Sequence, residues 1–153
     1  MPFDGNEKGG GRDVVLGRLV QARSRLGERR NWISGKYFEE DGRGHHYCVL
    51  GAMAANPAED GCMSYDADGR QAVVWLAMQV SGVRMGFEEA ARVIYNFNDG
   101  SAALEQVSHS VAGWLFFARR RRIDGHQRVL DMLDHAIKSR QREIALRTAP
   151  AEI

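Results

Sequence analysis

Cysteine is scarce in this sequence: Cys48 and Cys62 are the only two among 153 residues. The N-terminal stretch MPFDGNEKGGG is polar and glycine-rich, with no apolar signal core. Together these features argue against a disulfide-stapled secreted scaffold and lead us to expect free thiols in the cytoplasm, with a Cys48–Cys62 disulfide as the alternative that spacing alone allows. Proline is also low, at three residues, and Pro57 closes an apolar segment. Long hydrophobic runs are missing. The longest, Val111 to Ala118, is too short to span a bilayer, so no membrane association is expected. Net charge is only +1, which excludes a global field toward DNA or an anionic membrane and also excludes an acidic nucleic-acid mimic. No repeat occurs at solenoid periods.

What remains is an ordinary globular composition, 44% hydrophobic and 27% charged. The length suits one domain with a core of its own. We expect a flexible leader over residues 1–11, a single helical domain over 12–146 and a flexible tail over 147–153. Val15, Leu19, Ala22 and Leu26 fall at i, i+4, i+7 and i+11, which predicts a helix stopped by Gly27. Asn31 to Tyr37 reads as a short helical turn, and Glu39 to Gly44 as an exposed turn. His46 to Asn56 is compact and apolar, with small residues suited to a closely packed helix. Asp68 and Gln71 form a capping-box pattern before a helix carrying Val73, Val74, Leu76, Ala77 and Val80.

Further helices are expected over Phe87 to Phe97, along the stripe Leu104, Val107, Val111, Trp114 and Ala118, and from about His126 to Leu146. The last stripe degrades at Arg140, predicting a frayed end. No segment alternates with period two for long, so strands should be short. The fold class is therefore mainly α, an irregular single-domain helical bundle of about five or six helices.

The central block carries Trp32, then Ser34-Gly35-Lys36-Tyr37, then Tyr47-Cys48-Val49-Leu50-Gly51-Ala52, and later Asn98-Asp99-Gly100 before an amphipathic helix. Over about residues 31–116 it resembles an uncharacterised family of small bacteriophage and bacterial proteins. A related actinobacterial domain of unknown function has the same order of features. The chain departs from the phage pattern in having one cysteine at the helix start, where those proteins often have two. The resemblance implies a helical fold in a phage or mobile-element setting, and no activity.

Several residues could carry chemistry. Cys48 sits near an expected helix start, where backbone amides favour the thiolate. His45, His46 and His109, with Asn98 and Asp99, could complete a Cys-His-Asn/Asp set. The competing reading of Cys48 is a small buried hydrophobe, which its apolar neighbours favour. His109 lies off its helix's apolar stripe. The Asn98-Asp99-Gly100 triplet is also what a tight turn before a helix needs. His45, His46, Cys48 and Cys62 lack structural zinc spacing. Ser64 to Gly69 starts like a calcium loop, but Trp75 stands where a bidentate Glu is required. No metal or other cofactor is expected.

Trp114-Leu115-Phe116-Phe117 precedes the run Arg119, Arg120, Arg121 and Arg122. Successive helical side chains are about 100° apart, so four bulky residues cannot all face one core. Part of this run should meet the last helix, a partner or a second copy of the chain. A second basic group, Arg18, Arg23, Arg25, Arg29 and Arg30, crowds the N-terminal third. The sequence thus points to a non-enzymatic interaction protein that binds a host or phage protein as an inhibitor or regulator. The interaction residues are Trp114, Phe116, Phe117 and Arg119 to Arg122, and a homodimer is an alternative use of them. The two rivals are a Cys48-dependent enzyme of unspecified reaction and a weak nucleic-acid binder using the arginine clusters.

Overall fold

The computed structural model describes residues 13–57, 65–100 and 124–148. These are mainly helical, as the periodicities require. Helix α1 is Val14–Arg25, α2 is Val49–Met53, α3 is Ala67–Ser81, α4 is Phe87–Asp99 and α5 is Gly125–Thr148. A short 3-10 turn, Arg29–Asn31, follows α1. The strands are short: β1, Phe38–Asp41, pairs antiparallel with β2, Gly44–Tyr47.

Helix α1 forms where its stripe predicts, with Val15, Leu19, Ala22 and Leu26 all buried. The Asp13 carboxylate caps it by accepting the Leu16 N–H at 2.8 Å. Helix α1 packs on α3, α5 and α2, while α4 packs on α3, α2 and α5. Leu19, Leu26, Met53, Leu76, Ile94, Phe97 and Leu133 are among the largest fully buried side chains at the centre. No helix among the described residues is long and apolar enough to cross a membrane.

Local expectations are corrected at five places. The 3-10 turn precedes Trp32, and residues 32–37 run on without helix to the hairpin. Glu39 and Glu40 belong to β1, and the turn is confined to residues 41–44, where the Asp41 carboxylate accepts the Arg43 N–H at 2.8 Å. Helix α2 is only five residues long, because His46 and Tyr47 are taken by β2 and the chain is already extended at Ala54.

Its last carbonyls have partners on α1 instead. Gln21 donates to the Ala52 and Ala54 oxygens at 3.1 and 2.9 Å, and Arg25 to the same two at 3.2 and 2.6 Å. Arg18 donates to the Met53 oxygen at 3.0 Å. Orphan carbonyls at a helix end need such partners.

The cap of α3 is Asp66, not Asp68: its carboxylate accepts the Gly69 N–H, and Arg18 holds both of its oxygens in place. Finally, α5 does not fray at Arg140. That residue is buried, and the helix continues to Thr148. Its guanidinium donates to Asp13 at 3.0 and 2.9 Å and to Glu143 at 2.8 Å, so a charged residue occupies the apolar stripe with every side of it engaged.

Candidate functional site

The residues singled out in the central block converge on one side chain. Asn98 is the penultimate residue of α4 and is fully buried. Its amide oxygen accepts the Trp32 indole N–H at 2.9 Å and the Val49 backbone N–H at 3.1 Å. Its amide nitrogen donates to the Ile33 carbonyl at 3.1 Å and to the Asp99 carboxylate at 2.9 Å. The same Asp99 oxygen accepts the Gly35 N–H at 3.0 Å, and Gly35 has φ +76°, a conformation natural to glycine. A side-chain amide has two acceptor sites and two donors, and all four are used here.

The surrounding packing is close. Ile33 donates to the Tyr47 carbonyl at 2.9 Å, and Cys48 to the Tyr37 carbonyl at 3.2 Å. A Cβ at Gly51 would lie 2.3 Å from the Tyr37 oxygen, so only glycine lets α2 approach the backbone at Tyr37. A Cβ at Gly125 would lie 2.6 Å from the Trp32 ring, so the start of α5 is laid against that indole. His126, the next residue, is buried and bonds the Leu26 carbonyl at 2.6 Å. Arg128 donates to the Phe97 and Asn98 carbonyls, both at 3.2 Å, closing the C-terminus of α4 where Gly100 turns with φ +75°. Asn98 and Asp99 thus lie inside the helix, and Gly100 alone makes the turn expected of the triplet.

Cys48 lies at the edge of this hub, at the N-cap position of α2, fully buried. Burial pushes its thiol up to about 11, and the Asp99 charge adds to the rise. The Gly51 and Leu50 amides pull the other way without prevailing. The helix-start effect expected from sequence is present, but desolvation outweighs it. His45 and His46 are neighbours on a strand and so point to opposite faces. His45 stands 3.5 Å from Glu40. His46 bonds the Asp41 carboxylate and the Arg30 carbonyl, and these contacts hold its pKa above the usual 6.5. Among the described residues no three His, Cys, Asp or Glu side chains group as metal ligands would. Cys62, His109 and the whole run Trp114, Phe116, Phe117, Arg119, Arg120, Arg121 and Arg122 lie outside the described residues.

The N-terminal arginines are engaged within the chain. Arg18 pairs with Asp66, Arg23 with Asp134, Arg29 with Asp124 and Arg30 with Glu28. Arg25 serves the α2 carbonyls and lies 5.4 Å from the Tyr47 ring centroid. Beside the hub, the 35–37 loop and α4 leave an open groove of about 570 Å³ in which Lys36 and Arg92 face Glu88, so its charge is mixed.

Sequence reasoning found the motif residues but not that one asparagine joins them. The available signal was their fixed order along the chain, which does not reveal contact. It also missed Arg128 and Arg140, which read as surface arginines until their partners, from far along the chain, are in place.

The matched span of a known family covers this whole hub. The chain belongs to the family of unknown function DUF6197, which matches residues 13–113. Neither the curated proteins nor the solved structures contain a match to it.

Proposed function

We propose that this DUF6197 member is a non-enzymatic interaction protein of phage or mobile-element type, binding a host or phage protein as an inhibitor or regulator. The observation that supports this reading best is the saturation of Asn98. The motif residues build a closed internal joint, in which no amide atom of Asn98 and no ready thiolate at Cys48 is left to act on a substrate. A joint of this kind gives a rigid scaffold, and rigid scaffolds present binding surfaces at low entropic cost. The surface we assign on sequence grounds is Trp114, Phe116, Phe117 and Arg119 to Arg122, an aromatic and arginine-rich run of the composition that anchors interfaces.

Affinity capture from a bacterial lysate, with and without nuclease, tests this. A second bait carries Phe116→Ser, Phe117→Ser and Gln at positions 119–122, with its fold checked by circular dichroism. The expected result is one stoichiometric protein, retained after nuclease and lost with the second bait. Capture that vanishes with nuclease, or that ignores the substitutions, overturns the reading. So does fast stoichiometric alkylation of Cys48 in the native state.

A further inference from the structure

Among the described residues, Val74 and Met78 of α3 stay half-buried at the border of the core. One helical turn apart, they floor a groove of about 490 Å³ with half-buried Met85 from the turn before α4, and buried Trp75 borders it. Arg70 and Arg84 are its charged lining, and no acidic residue lines it. Arg70 is held in place: its Nε donates to the Tyr65 carbonyl at 3.4 Å, and its guanidinium sits 4.8 Å from the Phe87 ring centroid. Arg84 is exposed and has no ion pair among the described residues. Val83, beside it, is 59% exposed, one of two large apolar side chains so placed among the described residues.

We infer that this groove takes an acidic amphipathic helix from a partner protein, with apolar residues at i, i+3 or i+4, and i+7 and carboxylates along its edges. The apolar floor supplies the contact area, and the two methionines let it adapt to different apolar side chains. The two guanidiniums, with no carboxylate beside them in the lining, select acidic flanks. A polyanion such as DNA fits poorly, because the floor offers it methionine and valine rather than a track of cations. None of the groove's lining residues belongs to the run 114–122, so the two readings are tested by substitutions at different residues.

The test is panning of a displayed library of peptides about four helical turns long on the full chain. Enriched peptides are then titrated against the wild type, Arg84→Glu and Val83→Asp. Both positions are exposed, so both variants should fold, and their melting curves check this. The expected result is enrichment of apolar-acidic helical patterns, with binding about tenfold weaker to each variant and weakened further by salt. Failure to enrich such patterns overturns the inference. So do peptides that are neutral or basic, affinities unchanged by both substitutions, or a short DNA duplex that binds the same groove.

Discussion

The Asn98 hub and the Arg140 cluster are both polar nodes set among apolar side chains, yet they are made of opposite materials. The hub is neutral at its centre, an amide whose four hydrogen bonds serve an indole, two backbone groups and one carboxylate. The Arg140 cluster is ionic. Its guanidinium bridges the Asp13 cap of α1 and Glu143 of α5, and lies 5.4 Å from the Trp75 ring centroid. Glu143 also accepts the Trp75 indole N–H at 3.3 Å. The hub ties irregular backbone, residues 32–37 and the start of α2, to the end of a helix. The cluster ties three regular helices to one another. Extended backbone between elements has unpaired N–H and C=O groups, which a neutral amide can satisfy from both sides. Helices have already paired theirs, so what remains to be joined there is charge at a cap and along a face.

This contrast can be broken most severely at the hub. Asn98→Ala leaves the Trp32 indole, the Val49 amide and the Ile33 carbonyl without their partner, and should cost about 3 kcal/mol. A urea titration reads it as a lowered midpoint with little change in slope. A midpoint equal to wild type would mean that water replaces the amide and that the hub is not a closed joint. Arg140→Met is the matching cut in the ionic node. Its expected cost is smaller, about 2 kcal/mol, because Asp13 keeps Arg147 and the cap bond to Leu16, and the node is partly open to solvent. If this variant proves less stable than Asn98→Ala, the ranking of the two nodes is wrong.

Acid separates the nodes further. Burial acts to raise the Asp13 pKa, but its bonds to Arg140 and to the Leu16 amide outweigh it and hold the group below its ordinary 3.8. A carboxylate depressed in the folded state contributes stability that is full above its unfolded pKa and is lost as pH falls through the folded value. Wild type should therefore lose stability below pH 3.8, and Asp13→Asn should lose less over the same interval. Asp13 is not a partner of Asn98, so Asn98→Ala should leave the acid loss that comes from Asp13 in place. Urea midpoints taken at steps of pH measure both.

The smallest effect is at His46, whose Asp41 and Arg30 partners raise its pKa above 6.5. A raised histidine stabilises fully below its unfolded pKa, and the contribution disappears as pH rises through the folded value. An NMR titration should place the His46 midpoint above 6.5, returning toward that value in Asp41→Asn. A midpoint at or below 6.5 in the wild type would show that the hairpin contact does not persist in solution.

Much of the helical frame was legible in the sequence. The stripe Val15, Leu19, Ala22 and Leu26 gave α1 almost to the residue, and Phe87 to Phe97 gave α4 to within one helical turn of its end. Those stripes record burial of one face, which is a local property of spacing. The hairpin was less legible, because Glu39, Glu40, His45 and His46 carry no alternation of apolar and polar residues, and their pairing rests on the short Asp41–Gly44 turn. Cys48 shows the same limit for the site. Its position at a helix start was readable, but the burial that raises its thiol depends on what the rest of the chain lays over it.

By itself, then, the sequence determined a mainly helical chain, the places where most helices begin, and the set of motif residues worth watching. Spacing, caps and glycines act over a few residues, so they can be read in a line. Only the tertiary structure decided that Asn98 joins Trp32, Ile33, Val49 and Asp99, that Arg140 is a buried tie rather than a fraying end, and that the N-terminal arginines face partners within the chain. Each of these depends on groups that are distant along the chain and adjacent only after packing. Whether a polar side chain is a ligand, a base or a brace is set by which of its hydrogen-bonding sites that packing has already filled.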